Sequence, residues 1–402
     1  MRRRRESGQT LVFVALGMVM LGAILGLAVD IGYMRFVKRQ LQTAADSAAI
    51  AGAAEVNYGD VATAAKADAA SNGFTDGSNG VTVTVNNPPA SGPNQGLSGY
   101  VEVLISKVQP TFFIRIVPGG ATNSTVQARA VAQLGNAKGC VYSLQSSPGG
   151  IQIHHGINVT AQNCAIIDNG DLTVHNNSNV TASAIGVAGT VNNFGLQITP
   201  TPQRGMIPAS DPLAFLPTQN PGACDFTDVS INSGNQILTQ GVYCGGIRIT
   251  GSAAVTFNSG LYITTPNGRF NPGLVINSSG TVTGNGVTFY NAAASTSVSI
   301  TSSGTVSLTA PTSGNYAGIL IFQDPANASS AIVEGGYNST FQGALYFPNL
   351  NTTLTIDNIG LGAAYTLVVA GSLAISSHNI NFGGDYSSLS NGSPIKDAVL
   401  VE

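Results

Sequence analysis

The chain has 402 residues, enough for more than one domain, and only 9% of them are charged. Ordinary soluble proteins carry about 25% charged residues, so this surface has to rely on Asn, Ser, Thr and Gly. Residues 136–402 contain 5 basic and 11 acidic residues, a net charge of −6, which argues against a nucleic-acid partner because such a partner needs a basic face.

The N-terminus predicts a membrane anchor. A basic tail, residues 1–10, contains Arg2, Arg3, Arg4 and Arg5, and the stretch from Ser7 to Val29 is uncharged. At ~1.5 Å per residue, a helix over Leu11–Val29 covers roughly 30 Å, the thickness of a bilayer core. Because the arginines lie on one side of this span, the positive-inside rule puts the tail in the cytoplasm and everything after Val29 outside it.

Two features of the span leave alternatives open. Gly26-Leu27-Ala28 loosely resembles a signal-peptide cleavage site, but the apolar run is longer than the ~7–15 residues usual for a signal, which favours a retained anchor. Gly22 and Gly26 form a GxxxG, which either lets a second helix approach or marks a glycine-tolerant membrane helix. We favour the second interpretation.

The membrane helix is expected to continue outward for several turns as a long Ala-rich helix, because residues 31–71 contain no proline and alanine is the best helix former. Small residues recur along it at helical spacing, and packing against the chain's own next domain is favoured over contact with a partner helix. This stripe consists of Leu41, Ala44, Ala45, Ala48, Ala49 and Gly52.

The next segment reads as strands joined by loops. Val81–Val85 and Tyr100–Ile105 alternate at period two, Asn123–Leu134 is a further strand candidate, and Thr111–Arg115 is strand-like. The Pro-, Ser-, Asn- and Gly-rich stretch 86–99 is expected to be a loop. With the long helix, these strands predict a small α+β domain over residues 30–135.

From residue 136 to residue 402 the pattern is mainly β. Short apolar bursts such as Gly318–Phe322 and Tyr365–Val369 recur between Gly/Asn/Ser turns, which predicts a right-handed parallel β-helix. An antiparallel β-sandwich pair is the competing architecture. Six prolines within residues 195–225 predict a loop that leaves the repeating structure.

All four cysteines, Cys140, Cys164, Cys224 and Cys244, follow the span. An even number of cysteines outside the cytoplasm favours disulfides, and four cysteines allow three pairings. We favour the pairing of sequence neighbours, Cys140–Cys164 and Cys224–Cys244, because both intervals are close to one coil of a β-helix.

Several N-terminal motifs together resemble a known family. Gly8–Phe13 leads into the span, Leu27-Ala28-Val29-Asp30 ends it, and the run LQTAADSAAIAGA follows, with Leu41, Ala45 and Asp46. This pattern resembles the N-terminal domain of TadG-like proteins of Flp/Tad (tight adherence) pilus-assembly systems, strongly over residues 6–54 and more weakly to about Leu134. The resemblance implies a single-pass bacterial inner-membrane protein whose partners are the bilayer and other Tad pilus-assembly proteins.

Chemistry-bearing clusters are sparse. A polysaccharide-active site would need converging carboxylates, and the candidates are Asp168 with Asp171 and Asp225 with Asp228, which are also typical of polar turns. Tyr262, Tyr290 and Tyr346 could stack on sugars, but their apolar neighbours favour core packing. No cofactor, metal site or small-molecule ligand is expected.

The sequence therefore favours a non-catalytic, membrane-anchored component of a Tad-type pilus or adhesion system, with its β-rich body in the periplasm or at the cell surface. The alternative is an exported polysaccharide-active enzyme or a carbohydrate-binding protein on a β-helix.

Overall fold

The computed structural model describes residues 9–56, 60–116, 119–136, 139–193, 197–268, 273–292, 297–336, 338–358, 363–376 and 379–402. Residues 1–8 of the basic tail, with Arg2, Arg3, Arg4 and Arg5, lie outside the described residues. The chain divides into two compact units, Met1–Gly135 with Lys396–Glu402, and Asn136–Ile395.

The first unit combines two helices with a four-stranded sheet in the order β1-β2-β3-β29. Its elements are α1 (Gln9–Ala54), α2 (Val61–Ser71), β1 (Val81–Asn86), β2 (Tyr100–Pro110), a short 3-10 helix (Ile114–Ile116), β3 (Asn123–Asn136) and β29 (Lys396–Leu400). Strands β1, β2 and β3 pair antiparallel, and they contain the three strands expected from the sequence.

The expected continuation of the membrane helix beyond the span is confirmed, because α1 runs on to Ala54 before α2 starts anew. Asp60 caps α2, since its side chain accepts hydrogen bonds from the N–H groups of Ala62 and Thr63. The expected packing of the small-residue stripe within the chain is confirmed. Leu41, Ala44, Ala45, Ala48 and Ala49 are fully buried in one core with the inward residues of β1, β2 and β3.

Two expectations about the first unit are wrong. Thr111–Arg115 is not a strand, because residues 111–113 form a bend and the 3-10 helix begins at Ile114. Lys396–Glu402 does not belong with the β-rich body, because β29 joins the sheet beside β3. Hydrogen bonds between Val131 and the backbone of Val401 and Glu402 extend this contact to the last residue of the chain.

The second unit, in the part that the structure describes, is built from strands without an α-helix. Its strands are β4 (Gly139–Ser143), β5 (Ile151–Ile153), β6 (Asn158–Asp168), β7 (Leu172–Val174), β8 (Asn179–Val187), β9 (Val191–Asn193), β10 (Ile198–Thr199), β11 (Gln203–Arg204), β12 (Phe226–Ile231), β13 (Asn235–Leu238), β14 (Gly241–Gly251), β15 (Ala254–Phe257), β16 (Gly260–Thr265), β17 (Leu274–Ser278), β18 (Val282–Asn285), β19 (Val287–Asn291), β20 (Val298–Thr301), β21 (Val306–Thr309), β22 (Ile319–Gln323), β23 (Ala331–Glu334), β24 (Thr340–Phe347), β25 (Thr353–Asp357), β26 (Thr366–Ala370), β27 (Ser372–Ile375) and β28 (Ile380–Asn381).

These strands form one large parallel sheet, which contradicts the antiparallel sandwich. Parallel pairing repeats the same apolar position on successive strands, so aliphatic side chains stack in rows inside the unit. One row consists of Ile231, Ile249, Ile276, Ile300, Val333, Ile356, Ile375, Ile153 and Val174.

The order of the strands in this sheet differs from their order in the chain. The first strand of the unit, β4, pairs with β26 on one side and with β6 on the other. The strands from β4 to β11 therefore stack beyond the last strands of the unit, and the chain then starts again with β12 at the far end of the sheet.

The Pro-rich segment 195–225 connects the strands up to β11 with β12. The prediction for this segment is wrong about its extent and about its leaving the repeating structure. Strands β10 and β11 fall inside 195–225 and pair with β8, so the irregular part covers only residues 205–225. We call residues 205–225 the strap. The strap does not leave the structure, because its Leu213 and Leu216 are buried in the core of the unit.

Candidate functional site

The surface of α1 changes character along its length. Apolar side chains from Leu11 to Val29 are largely exposed, with 73% exposure at Leu11 and 52% at Val29. Within the described residues, α1 is one helix that is long and apolar enough to cross a membrane. This exposed apolar half is consistent with membrane anchoring, because a soluble helix would bury such a face.

Asp30 marks the end of the apolar half and is 1% exposed. Its carboxylate accepts hydrogen bonds from three consecutive backbone N–H groups, those of Phe112 at 2.9 Å, Phe113 at 2.9 Å and Ile114 at 2.8 Å. The ring of Tyr33, one turn further along α1, meets Phe112 edge-on with centroids 5.4 Å apart. Asp30 thus ties α1 to a turn that is distant in sequence.

The two glycines of the GxxxG differ in their surroundings. A Cβ built on Gly26 would lie 2.8 Å from the side chain of Phe113, whereas one on Gly22 would meet no atom of the described residues within 4 Å. The close approach at Gly26 is therefore made by this chain's own turn.

The other family-motif residues dock α1 on the sheet. Leu41 and Ala45 are buried in the core of the first unit. Asp46 accepts a hydrogen bond from the side-chain amide of Gln42 at 2.7 Å, and the same amide donates to the carbonyl of Arg129 on β3 at 2.9 Å. These motif positions have a structural role inside one chain.

A buried ion pair, absent from the sequence-based predictions, holds the sheet together. Glu102 is 1% exposed and accepts hydrogen bonds from Ser91, Asn86 and Arg129. Burial opposes the charge on Glu102, but these bonds outweigh it and lower its pKa to about 2. Arg129 also pairs with Glu402. The one available sequence signal was a lone charge inside the strand-like run 100–105.

The candidate catalytic carboxylates are engaged in backbone contacts. Buried Asp168 accepts hydrogen bonds from the N–H groups of Ile151 at 3.1 Å and Gly170 at 2.9 Å. Burial raises its pKa to about 6, against these bonds. Asp171 accepts from the N–H of Thr190, which lies one turn of chain further along. Both carboxylates therefore accept backbone hydrogen bonds from neighbouring turns of the chain.

Asp225 also accepts a backbone hydrogen bond, from the N–H of Val242 at 2.8 Å. Asp228 lies in the same strand region with φ of 53°. Among the residues that the structure describes, no group of three or more His, Cys, Asp or Glu side chains could hold a metal ion.

The cysteines and the tyrosines lie where the sequence indicated. Cys140 is bonded to Cys164 and Cys224 to Cys244, so the pairing of sequence neighbours is confirmed. The three tyrosines considered as sugar platforms are buried in the core of the second unit, so they offer no open ring face. They are Tyr262, Tyr290 and Tyr346.

With this geometry in place, the family comparison concerns the membrane span and the small-residue stripe of α1. Residues 8–55 match the family described as putative Flp pilus-assembly TadE/G-like. The Tad resemblance is thereby confirmed over the N-terminal region that contains the span, Asp30 and the docking stripe. The match stops before the sheet of the first unit and the whole second unit. No curated protein and no solved structure matches the chain.

Proposed function

We propose that this protein is a non-catalytic, membrane-anchored component of a Tad-type pilus-assembly or adhesion system. The observation that carries the proposal is the coincidence of the Tad match over residues 8–55 with an exposed apolar helix. Other Tad pilus-assembly proteins and the lipid bilayer are the partners that this family assignment suggests.

The proposed topology places residues 1–10 in the cytoplasm and everything after Val29 in the periplasm or beyond. Four arginines before the span support this orientation through the positive-inside rule. The disulfides Cys140–Cys164 and Cys224–Cys244 support it independently, because such bonds persist in oxidising compartments outside the cytoplasm. The inner membrane is the site that a Tad component would occupy.

We infer that the second unit is a right-handed parallel β-helix displayed by this anchor. The stacked aliphatic rows and the uniformly parallel pairing of neighbouring strands support it. Right-handedness is the form that parallel crossover connections take in nearly all proteins. The β-helix would be discontinuous in sequence, because β4–β11 stack on the strands that come last in the chain.

The non-catalytic role is supported by how the acidic residues are used. Asp168, Asp171 and Asp225 each accept backbone hydrogen bonds from neighbouring turns. A hydrolase site would instead aim two carboxylates at a shared cleft, with a separation suited to a glycosidic bond. A scaffold that presents its outer surface to partners fits these contacts better than an enzyme does.

Deletion of the gene tests the proposal. We expect the deletion strain to lose assembled pili or surface attachment, and the wild-type gene to restore both. An Asp168→Asn/Asp225→Asn gene should restore them equally well, since Asn keeps the shape of each side chain while removing acid–base chemistry. Unchanged piliation and attachment after deletion would contradict the Tad role, and a deletion phenotype that only the variant fails to rescue, despite normal protein levels, would favour catalysis.

A further inference from the structure

The turn that follows β2 exposes apolar side chains beside the span. Phe112, Phe113 and Ile116 are 43%, 45% and 73% exposed. The side chain of Phe113 lies against Gly26, in the apolar half of α1 and four residues before Asp30. A cleft of about 750 Å³ continues this contact between the helix residues Val19 and Leu27 and the turn residues Ile114 and Ile116.

The turn reaches below the end of the span. At roughly 1.5 Å per residue, Gly26 lies about 6 Å and Val19 about 16 Å along α1 from Asp30, toward the N-terminus. The span ends at Val29, and a bilayer core is about 30 Å thick. A turn that lines a cleft with Val19 and packs on Gly26 therefore lies at the depth of acyl chains, if the span crosses a bilayer.

The backbone hydrogen bonds of this turn suit an apolar environment. Polypeptide without regular structure is excluded from hydrocarbon because each unsatisfied N–H costs several kcal/mol. Here Asp30 accepts the N–H groups of Phe112, Phe113 and Ile114, and the carbonyl of Phe113 accepts the N–H of Ile116 at 3.0 Å. Four of the five N–H groups of Phe112–Ile116 are thus bonded within the protein, while Phe112, Phe113 and Ile116 keep much of their apolar surface exposed.

We propose that the turn Phe112–Ile116 is a membrane wedge that inserts beside α1 into the half of the bilayer next to Asp30. Lipid acyl chains cover Phe113, Ile116 and the apolar cleft. Asp30 is the positioning residue, because its carboxylate accepts the backbone N–H groups of the wedge. The exposed Arg115, the one charge in the turn, extends to the lipid phosphates as interfacial arginines do. This inference rests on the proposed membrane anchoring, since without a bilayer there is no acyl layer for the turn to enter.

The absence of tryptophan from the chain makes a direct test possible. The full-length protein is reconstituted into phosphatidylcholine vesicles that carry bromine at a shallow or a deep acyl position. Single tryptophans are introduced as Ile116→Trp and, as a second wedge probe that keeps an aromatic side chain, Phe112→Trp. Leu16→Trp reports on the span, because Leu16 is 60% exposed and lies inside it, about 8 Å along α1 from Leu11. Leu97→Trp is the control in the same unit, beyond the far end of β2, a strand of 11 residues that covers about 33 Å.

We expect shallow bromines to quench about half or more of the Ile116→Trp and Phe112→Trp emission, as for residues buried ~5–10 Å below the headgroups. Deep bromines should quench Leu16→Trp, and neither should quench Leu97→Trp. Adding Asp30→Asn to Ile116→Trp should reduce the shallow quenching. If Leu16→Trp is quenched while both wedge probes behave like Leu97→Trp, the wedge is refuted and the cleft is left for a partner protein. If Leu16→Trp is not quenched either, the membrane anchor itself fails.

Discussion

Ile375 pairs in parallel with Ile153, so one of the last strands of the second unit is the direct neighbour of one of its first. Both side chains are 1% exposed, and they continue a row of stacked aliphatic residues that begins at Ile231. The early strands are therefore held in place by strands that are synthesised more than 200 residues after them. Their stability depends on contacts of very high sequence separation, which are slow to form.

Ile375→Ala tests this dependence. Removing the buried side chain should destabilise the second unit by about 2–5 kcal/mol through lost burial and the cavity left behind. Hydrogen exchange should show reduced protection of β5 and β7 as well as β27. Ile332→Ala is the matched control, because Ile332 is 40% exposed on a strand of the same sheet, and it should change little. Loss of protection confined to β27 would contradict the pairing across the sequence.

The disulfides predict a second result. They close chain segments of 24 and 20 residues, and cross-links of that length stabilise by about 3 kcal/mol each in the chain-entropy treatment. Cys140→Ser/Cys164→Ser and Cys224→Ser/Cys244→Ser should each lower the denaturant midpoint, and reductant should lower it for the wild type. Peptide mapping of the unreduced protein checks the pairing, and a Cys164–Cys224 peptide would contradict it.

The strap predicts a local effect. Tyr346 Oη donates to Asp211 at 2.6 Å, and Tyr316 Oη donates to the carbonyl of Pro217 at 2.6 Å. Tyr346→Phe leaves the Asp211 carboxylate without this donor, which should cost about 1–3 kcal/mol and loosen the strap. Limited proteolysis should then cut within 205–225 sooner than in the wild type. Tyr262→Phe, which removes a hydroxyl bonded to the carbonyls of Leu238 and Asn258, should leave that cleavage unchanged.

Two buried carboxyls predict opposite pH dependences in the two units. The pKa of Glu102 is lowered to about 2, so the native state binds fewer protons than the unfolded chain, and this contribution is lost as the pH falls from about 4.5 to about 2. The pKa of Asp168 is raised to about 6, so its ionisation destabilises the native state as the pH rises from about 4 to 6. Each effect is at most about 3 kcal/mol.

Amide hydrogen exchange, measured separately for each unit, resolves these two pH dependences of stability. Separate values are needed because one free energy of unfolding is not defined for a two-unit chain. Glu102→Gln should flatten the acid loss of protection in β1–β3. Asp168→Asn should flatten the decline between pH 4 and 6 in β5–β7. A wild-type protein whose β5–β7 protection rises over that interval would contradict the burial of an ionisable Asp168.

The contact at Gly26 predicts a difference between two glycines of the same motif. Gly26→Leu should push the ring of Phe113 away and weaken the three hydrogen bonds to Asp30, so the amides of Phe112–Ile114 should exchange faster in detergent. Gly22→Leu should not, because a Cβ there has open space. Equal exchange in both variants would show that the turn does not pack on Gly26.

Local patterns predicted what local interactions determine. The span, the small-residue stripe of α1 and the strands β1–β3 were predictable because periodicity reports which face is buried. The disulfide pairing followed from the short intervals between the cysteines. Asp30 was identified as a family-motif residue, but its partners at residues 112–114 were not predictable from any spacing.

Long-range pairing could not be predicted from the sequence. Thr111–Arg115 has the apolar and β-branched residues of a strand, yet Asp30 takes the N–H groups that a strand would offer to a neighbour. Lys396–Leu400 resembles the preceding strands, and nothing local shows that it pairs beside β3. Similarly, a repeat of short apolar bursts does not reveal which strand stacks on which, so the contact of β4 with β26 emerged only from the structure.

Membership in a Tad-type system is tested most directly by affinity purification of the full chain from solubilised native membranes. The tag belongs at the N-terminus, because Glu402 at the other end is paired with Arg129. Quantitative mass spectrometry should show Flp/Tad pilus-assembly proteins enriched over a strain that expresses an equally abundant, unrelated tagged single-span protein. Recovery of those proteins at the level of that control would contradict the proposed function.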